Sequence, residues 1–217
     1  IGQNAGRGRS GFNVTGDSNF FAGVGAGYSA TTARQNVAIG HSALHRNTTG
    51  IHNVAIGASA GFGGGDGLTG CHNFFGGYQA GFCNTSGSNN NFFGRFAGCC
   101  NSSGEYNNFF STSSGRNNTT GGCNNFFGRF SGFSNTTGSN NTFFGSSAGY
   151  RNTSGSHNIF FGCNTGFEHT TGCDNTFIGR CSGCGRNGFA PVGDSNFFAG
   201  VGAGYSATTA RQNVAIG

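Results

Sequence analysis

One 17-residue sequence recurs along the whole chain, and this repeat limits the possible folds more than any other feature. Its clearest copy spans residues 141–157 and reads NTFFGSSAGYRNTSGSH. Nine of the eleven spacings between copies are 17 residues, and the other two, 20 and 21, indicate loop insertions of three and four residues. A fixed short period is typical of stacked architectures, in which each repeat forms one coil of a solenoid. The first asparagine of the repeat, numbered position 1 below, occurs at Asn19, Asn36, Asn53, Asn73, Asn90, Asn107, Asn124, Asn141, Asn158, Asn175, Asn196 and Asn213.

The residue types within one repeat predict strands and turns. The chain has 45 glycines, and glycine is a poor helix former. Asn-x-Phe-Phe at positions 1–4 has the composition of a short strand, and glycine follows at position 5, where the chain bends. We predict a second short extended segment at Ala-Gly-Tyr/Phe and a closing turn at Asn-Thr-Thr-Gly, because asparagine and glycine tolerate positive φ. The predicted fold class is all-β, a parallel β-solenoid (β-roll) of about 12 stacked 17-residue coils, spaced by ~4.8 Å.

A second, longer period spans ten coils. Residues 16–40 and 193–217 are identical, at an offset of 177 residues. We therefore expect residues 1–217 to be one continuous β-solenoid segment of a longer tandem-repeat protein, with residues 19–195 forming one super-repeat and 196–217 beginning the next. A weaker match continues upstream and aligns Gly8, Arg9, Gly11 and Phe12 with Gly185, Arg186, Gly188 and Phe189.

Stacked coils place equivalent side chains above one another, so the two phenylalanines of the repeat form two ladders. Neighbouring residues of a strand point to opposite faces. One ladder can fill the coil, and the other is exposed unless another chain, a second layer of the same chain or a wider roll covers it. The residues do not settle which ladder faces inward. The position 3 ladder comprises Phe75, Phe92, Phe109, Phe126, Phe143, Phe160 and Phe177, and the position 4 ladder comprises Phe93, Phe110, Phe127, Phe144 and Phe161, ending in Ile178.

A third predicted ladder consists of the turn asparagines. All six are followed by x-Ser/Thr, so they are also candidate glycosylation sites, as are Asn13, Asn117 and Asn140. The turn geometry alone would also select asparagine here. The ladder comprises Asn47, Asn84, Asn101, Asn118, Asn135 and Asn152.

The chain has nine cysteines among small residues, which indicates an oxidising, extracellular setting. Cys83 and Cys100 occupy position 11 of successive coils, so their Cα atoms are expected ~4.8 Å apart, within the range of a disulfide. Cys163 and Cys181 lie one coil plus one residue apart and are a second candidate pair. The Cys181-x-x-Cys184 spacing also suits a metal, but we favour disulfide partners here.

Other chemistry has little support in the sequence. The six acidic residues and six histidines are scattered, so we expect no enzyme, no catalytic residues, no metal site and no cofactor. The net charge of +5 comes from scattered arginines, which disfavours nucleic acid as a partner. No apolar run approaches the ~18 residues of a membrane-spanning helix.

Three segments carry a resemblance to a known family. Asn36–Gly40, Asn53–Gly57 and Asn213–Gly217 all read NVAIG. Together with the Asn-Thr-Thr-Gly turns, they resemble the head repeats of trimeric autotransporter adhesins and related repeats of bacterial and phage surface fibres. The resemblance implies a left-handed parallel β-roll that is secreted, assembles as a trimer and adheres to matrix or host surfaces. Here the period is longer, phenylalanine replaces aliphatic residues and cysteine is abundant.

These features together predict a structural subunit of an extracellular filament, sheath fibre or appendage, stabilised by backbone ladders, phenylalanine stacks and disulfides. Its expected partners are copies of itself, in lateral or end-to-end assembly. The first alternative is an adhesin head or stalk that binds glycans or matrix. The second is an ice-binding solenoid, suggested by pairs such as Thr48-Thr49 but disfavoured because neighbouring threonines point to opposite faces.

Overall fold

The structure is a computed structural model that describes residues 1–7, 15–65, 67–185, 193–205, 207 and 211–217. The described chain contains no helix and forms a single parallel sheet of twelve three-residue strands in sequence order, which confirms the predicted β-solenoid. The upstream part of the super-repeat match and the Asn13 sequon fall outside the described residues. The strands are β1 Phe20–Ala22, β2 Val37–Ile39, β3 Val54–Ile56, β4 Phe74–Gly76, β5 Asn91–Phe93, β6 Asn108–Phe110, β7 Asn125–Phe127, β8 Thr142–Phe144, β9 Ile159–Phe161, β10 Thr176–Ile178, β11 Phe197–Ala199 and β12 Val214–Ile216.

The strands keep one register from the first coil to the last. Phe92 pairs with Phe109, 17 residues on, as the repeat predicts. Ala55 pairs with Phe75 across the 20-residue spacing, and Phe177 pairs with Phe198 across the 21-residue spacing. The strand register and the position 3 column therefore continue past both insertions.

The predicted second extended segment is wrong. Ala-Gly-Tyr/Phe forms a turn because the glycine at position 9 adopts a left-handed conformation, with φ +59° at Gly149. The backbone N–H of Ala148 donates to the Gly145 carbonyl at 3.2 Å, and that of Asn152 donates to the Gly149 carbonyl at 3.0 Å. The turns still bond the next coil, since the Gly132 N–H donates to the Ala148 carbonyl at 2.9 Å. Hydrogen bonds between coils thus extend well beyond the strands.

The position 3 phenylalanines form the core. From Phe75 to Phe177 they are at most 1% exposed. From Phe92 onwards to Phe198, successive ring centroids lie 4.7–4.9 Å apart, with ring planes within 9° of parallel. The glycine at position 9 makes room for each ring: a Cβ on Gly98 would lie 2.4 Å from the Phe92 ring. Burial of each ring stabilises the fold by roughly 2–3 kcal/mol.

Two coils near the N-terminus fill the core differently. Their strands carry Ala38 and Ala55 at position 3, both buried. Leu44 takes the place of the position 9 glycine, at φ +48°, and is fully buried, as is Leu68. A leucine side chain thus occupies volume that a phenylalanine ring fills in other coils, which keeps the interior packed.

Two buried asparagine ladders flank the core. At position 12, Asn118 Nδ2 donates to Asn101 Oδ1 at 2.7 Å and to the Gly121 carbonyl at 2.8 Å, so the predicted turn ladder is confirmed from Asn84 to Asn152. Asn47 is separated from it by a coil with Gly64 at position 12. At position 1, Asn107 Nδ2 donates to the same Gly121 carbonyl at 2.9 Å, while its backbone N–H donates to Asn90 Oδ1 at 2.9 Å. In the coils that carry an asparagine at position 12, two amides therefore meet at one carbonyl and close the coil, as they do at Gly121.

Candidate functional site

The outer face of the sheet carries an exposed aromatic stripe. Positions 2 and 4 point away from the core because position 3 points into it. Phe93, Phe144 and Phe161 are 54%, 48% and 52% exposed, whereas their position 3 neighbours are buried. The structure thus settles which ladder faces inward. The stripe consists of Phe93, Phe110, Phe127, Phe144, Phe161 and Ile178, and Ile39 and Ile56 continue its column towards the N-terminus.

Rings of the stripe touch one another but have one side open. Centroids of Phe110 and Phe127 are 5.0 Å apart and those of Phe144 and Phe161 are 4.9 Å apart. The contacts of Phe93 with Phe110 and of Phe127 with Phe144 are longer, at 6.3 and 5.9 Å. Phe93, Phe110, Phe144 and Phe161 remain 37–54% exposed despite this stacking, so their outer surfaces are available for contact.

The column beside the stripe is uncharged. At position 2, Asn91 Nδ2 donates to Asn108 Oδ1 at 2.8 Å, and Asn108 donates to Asn125 in the same way. Thr142, Ile159 and Thr176 follow in later coils. None of the twelve described strands carries a charged residue at either outward position. The outer face is thus a flat, neutral surface with one apolar column and one mixed column.

A shallow hollow interrupts the aromatic stripe at Gly76. In this coil the outward phenylalanine stands at position 2 instead, and Phe74 stacks on Phe93 with centroids 5.8 Å apart. The hollow has a volume of about 360 Å³ and is lined by apolar side chains and glycine: Ile56, Phe74, Gly76, Gly77, Phe93 and Gly94. It gives an otherwise uniform face a recess of side-chain size.

A second aromatic column runs along the turn side of the solenoid, at position 10. Tyr28, His45, Phe62 and Phe82 stack at 4.9–5.1 Å, as do Phe133, Tyr150 and Phe167. This column is a finding of the structure, and its signal in the sequence is the Tyr or Phe of the repeat. Cys99 and Arg116 interrupt it in two successive coils, and Cys184 interrupts it again after Phe167.

The turn asparagines are poorly placed for glycosylation. All six are fully buried. In the coil of Asn118, both amide hydrogens of Nδ2 are donated within the solenoid. A glycan on this nitrogen would displace at least one of these bonds, so the folded coils disfavour the modification.

The threonine pairs leave one threonine column exposed. Thr136 Oγ1 donates to the Thr153 carbonyl in the next coil at 3.0 Å, whereas Thr137 is exposed. The first threonine of the pairs at Thr48, Thr119 and Thr136 therefore forms a hydrogen bond to the next coil. One column of hydroxyls does not make the broad regular face that ice binding calls for.

The nine cysteines are free thiols. Cys83 and Cys100 lie in adjacent coils, where the Cys83 N–H donates to the carbonyl of Cys99 at 2.8 Å, and their disulfide stays a prediction. The Cys181 N–H donates to the Cys163 carbonyl at 3.0 Å, so this pair is also adjacent. Burial raises the pKa of Cys184 to about 11. Within the described ranges, no group of three His, Cys, Asp or Glu residues is arranged to hold a metal ion.

Comparison with known proteins adds no relative. No family model, curated protein or solved structure matches the chain. In the described residues there is also no helix of the length and hydropathy needed to cross a membrane. The likeness to adhesin heads therefore stays a resemblance of the NVAIG segments and turns.

Proposed function

We propose that this protein is a structural subunit of an extracellular filament, sheath fibre or appendage, in which copies associate laterally through the aromatic stripe. The observation that carries the proposal is the row of stacked rings, about half exposed, on a flat sheet face. Large contiguous apolar patches on soluble proteins are usually interaction sites.

The exposed area suits association with a second copy. Eight outward side chains on β2, β3, β5, β6 and β8–β10 are 37–54% exposed. At roughly 90 Å² each they present on the order of 700 Å², close to the ~800 Å² that each partner contributes to a standard interface. The eight are Ile39, Ile56, Phe93, Phe110, Phe144, Ile159, Phe161 and Ile178.

The absence of charge on this face also favours a like partner. Two copies of a charged surface would repel each other, whereas the outward positions of the described strands are neutral. Arg95 and Arg129 stand at position 6, beyond the end of each strand, and Arg116 lies on the turn side. The surplus positive charge is thus kept off the stripe.

The coil interior supports a mechanical role. Backbone hydrogen bonds, the phenylalanine core and two asparagine ladders link each coil to its neighbours. Unfolding one coil breaks all of these at once, so resistance to force and proteolysis follows from repetition. The extracellular location is supported by the cysteine content.

Sedimentation of a triple variant tests the interface. Phe93, Phe110 and Phe127 are replaced by threonine, which suits an exposed strand and removes three rings of the stripe. We expect the wild type to self-associate in a concentration-dependent manner and the variant to associate at least roughly a hundredfold more weakly, because rings at an interface centre carry most of the binding energy.

The matched control replaces Asn91, Asn108 and Asn125 with threonine, on the same three strands and the same face. It should associate like the wild type, and circular dichroism should show that both variants are folded. A wild type that stays monomeric at high concentration would contradict the proposal and favour the adhesin-like alternative.

A further inference from the structure

Between Phe82 and Phe133 the aromatic column on the turn side is interrupted, and this interruption brings three cysteines and an arginine together. Cys99 and Arg116 stand at position 10, where neighbouring coils have stacked aromatic rings. Cys83 and Cys100 stand at position 11 of adjacent coils. Here these four residues are named the cysteine cluster.

Backbone hydrogen bonds fix the cluster across three coils. The Cys83 N–H donates to the Cys99 carbonyl at 2.8 Å, and the Cys100 N–H donates to the Arg116 carbonyl at 2.9 Å. Stacked coils place equivalent residues ~4.8 Å apart, so Cys83 and Cys100 satisfy the Cα spacing of a disulfide. Both are partly exposed, whereas Cys99 is buried.

Arg116 is held in place by aromatic rings. Its guanidinium lies over Phe96 at 4.8 Å and over Phe133 at 5.8 Å from the ring centroids. In the part of the chain that the structure describes, the arginines that form ion pairs are Arg151 and Arg211. The charge of Arg116 is therefore not neutralised by a carboxylate and acts on the neighbouring thiols.

The surroundings separate the three thiols into one acidic and two weakly acidic groups. A hydrogen bond from the Cys99 thiol and the charge of Arg116 lower the pKa of Cys100 to about 6, although burial opposes this. Burial and the adjacent Cys100 raise the pKa of Cys83. The hydrogen bond to Cys100, together with burial, raises the pKa of Cys99. A thiolate is the nucleophilic form of cysteine, so Cys100 is the reactive member.

We propose that Cys100 is an oxidative modification site, at which a hydroperoxide reacts first and Cys83 then forms a covalent link between adjacent coils. The Cys100 thiolate attacks the outer oxygen of the hydroperoxide and the O–O bond breaks. Cys100 becomes a sulfenic acid, and the alkoxide or hydroxide that leaves takes a proton from solvent.

The second step consumes the sulfenic acid. The Cys83 sulfur attacks the Cys100 sulfur, the S–O bond breaks, and the hydroxyl leaves as water with the thiol proton of Cys83. Two thiols are thereby oxidised and one hydroperoxide is reduced. The proposal goes beyond lateral assembly, since the link lies on the turn side and joins coils of one chain.

Geometry selects Cys83 over Cys99 as the second partner. Cys99 and Cys100 are consecutive residues joined by a trans peptide, so their Cα atoms are only ~3.8 Å apart. This is shorter than the usual range of ~4.4–6.8 Å for a disulfide. Cys99 is therefore a poor disulfide partner for Cys100.

Thiol reactivity of the reduced full chain tests the first step. The chain is treated with limiting iodoacetamide at pH 6.5, and labelling at each cysteine is followed by peptide mass spectrometry. Cys100 should react about tenfold faster than the exposed Cys123 or Cys163, because the lowered pKa of Cys100 raises its own thiolate fraction by more than it reduces its nucleophilicity. Equal or slower labelling of Cys100 would overturn the proposal.

Variants separate the roles of the cluster residues. Arg116→Gln should slow Cys100 labelling severalfold. Arg129→Gln, which removes a guanidinium held over Phe130 at 4.6 Å, is the matched control and should leave the rate unchanged. The comparison of Cys100 with Cys123 and Cys163 in the wild type remains valid even if a variant is poorly folded.

Peroxide treatment tests the second step. We expect a Cys83–Cys100 disulfide in the wild type. In Cys83→Ser we expect a Cys100 sulfenic acid that a dimedone probe captures. A Cys99–Cys100 bond as the main product, or oxidation spread evenly over the nine cysteines, would contradict the proposed sequence.

Discussion

His169 is the residue at which the turn ladder changes character. It occupies position 12, is fully buried, and Nε2 lies 3.0 Å from the Gly172 carbonyl, as the asparagine amide does in other coils. Its Nδ1 has no hydrogen-bond partner, and neither has Oδ1 of Asn152 in the preceding coil. From Asn84 to Asn135 an asparagine amide of the next coil satisfies this oxygen, as Asn152 does for Asn135 at 2.7 Å. The substitution thus leaves two buried polar atoms unpaired.

Burial lowers the pKa of His169 to about 4, against smaller opposing effects of the Gly172 carbonyl and Asp194. The unfolded chain therefore binds this proton at a higher pH than the folded chain does. The stability that comes from keeping His169 neutral is complete above its ordinary pKa of 6.5 and is lost as the pH falls towards 4.

His169→Asn should remove this acid sensitivity. Between pH 7.5 and pH 4.5 the wild type should lose about 2.5 kcal/mol of unfolding free energy more than the variant. At pH 7.5 the variant should also be more stable, by about 1–3 kcal/mol, because the new amide can donate to Asn152. Urea unfolding at both pH values measures this. A wild type and a variant with the same pH dependence would contradict it.

At the level of single residues, sequence reasoning identified the asparagines but not their surroundings. The repeat predicts a turn ladder from the positive-φ preference of Asn-Thr-Thr-Gly. Full burial of these amides, which disfavours glycosylation, depends on the position 1 ladder that meets the same carbonyl. The cysteine cluster was equally hidden, since Cys83 and Arg116 are 33 residues apart and meet only when coils stack.

In strands β5–β9, two neighbouring phenylalanines have opposite surroundings. In β7, Phe126 is buried in the core and Phe127 lies on the outer face. The difference arises from period-2 alternation together with the glycine at position 9, which leaves space for one ring inside the coil. Composition alone does not distinguish them, and for this reason the sequence leaves the inward ladder open.

Alanine substitutions within β7 should reveal this difference. Phe126→Ala leaves a cavity in the stacked core and should destabilise the dilute protein by about 3–5 kcal/mol. Phe127→Ala removes a half-buried ring and should cost less than about 1.5 kcal/mol under the same conditions. Chemical unfolding measured at low concentration provides both values. Similar losses for the two variants would show that the core is misassigned.

The conformation of the turns does not follow from the residue types of the repeat. The repeat predicts a short extended segment at Ala-Gly-Tyr/Phe. Instead, positions 7 and 9 both have positive φ, as Ser147 and Gly149 show at 56° and 59°. Two such residues so close together turn the chain continuously, and side chains as different as Ser147, Phe130 and Gln79 accept this at position 7.

For the molecule as a whole, repetition of one coil extends the contacts of single side chains along the whole axis of the solenoid. A ring, an amide and a glycine in each coil become a core, two hydrogen-bonded ladders and an aromatic stripe along the axis. The period of 17 residues sufficed to predict the solenoid and its register. The fold forms within a single chain. Lateral assembly is therefore a separate proposal, and it rests on the exposed aromatic stripe.

Hydroxyl-radical footprinting of Phe143 and Phe144 tests both the stacked core and the interface between copies. In dilute protein, Phe144 should be oxidised readily and Phe143 should be protected, because Phe144 is 48% exposed whereas Phe143 is fully buried. As the concentration rises, we expect Phe144 to become protected by a second copy while Phe143 stays unchanged. Equal oxidation of both residues in dilute protein would contradict the stacked core, and oxidation of Phe144 that is independent of concentration would contradict the interface.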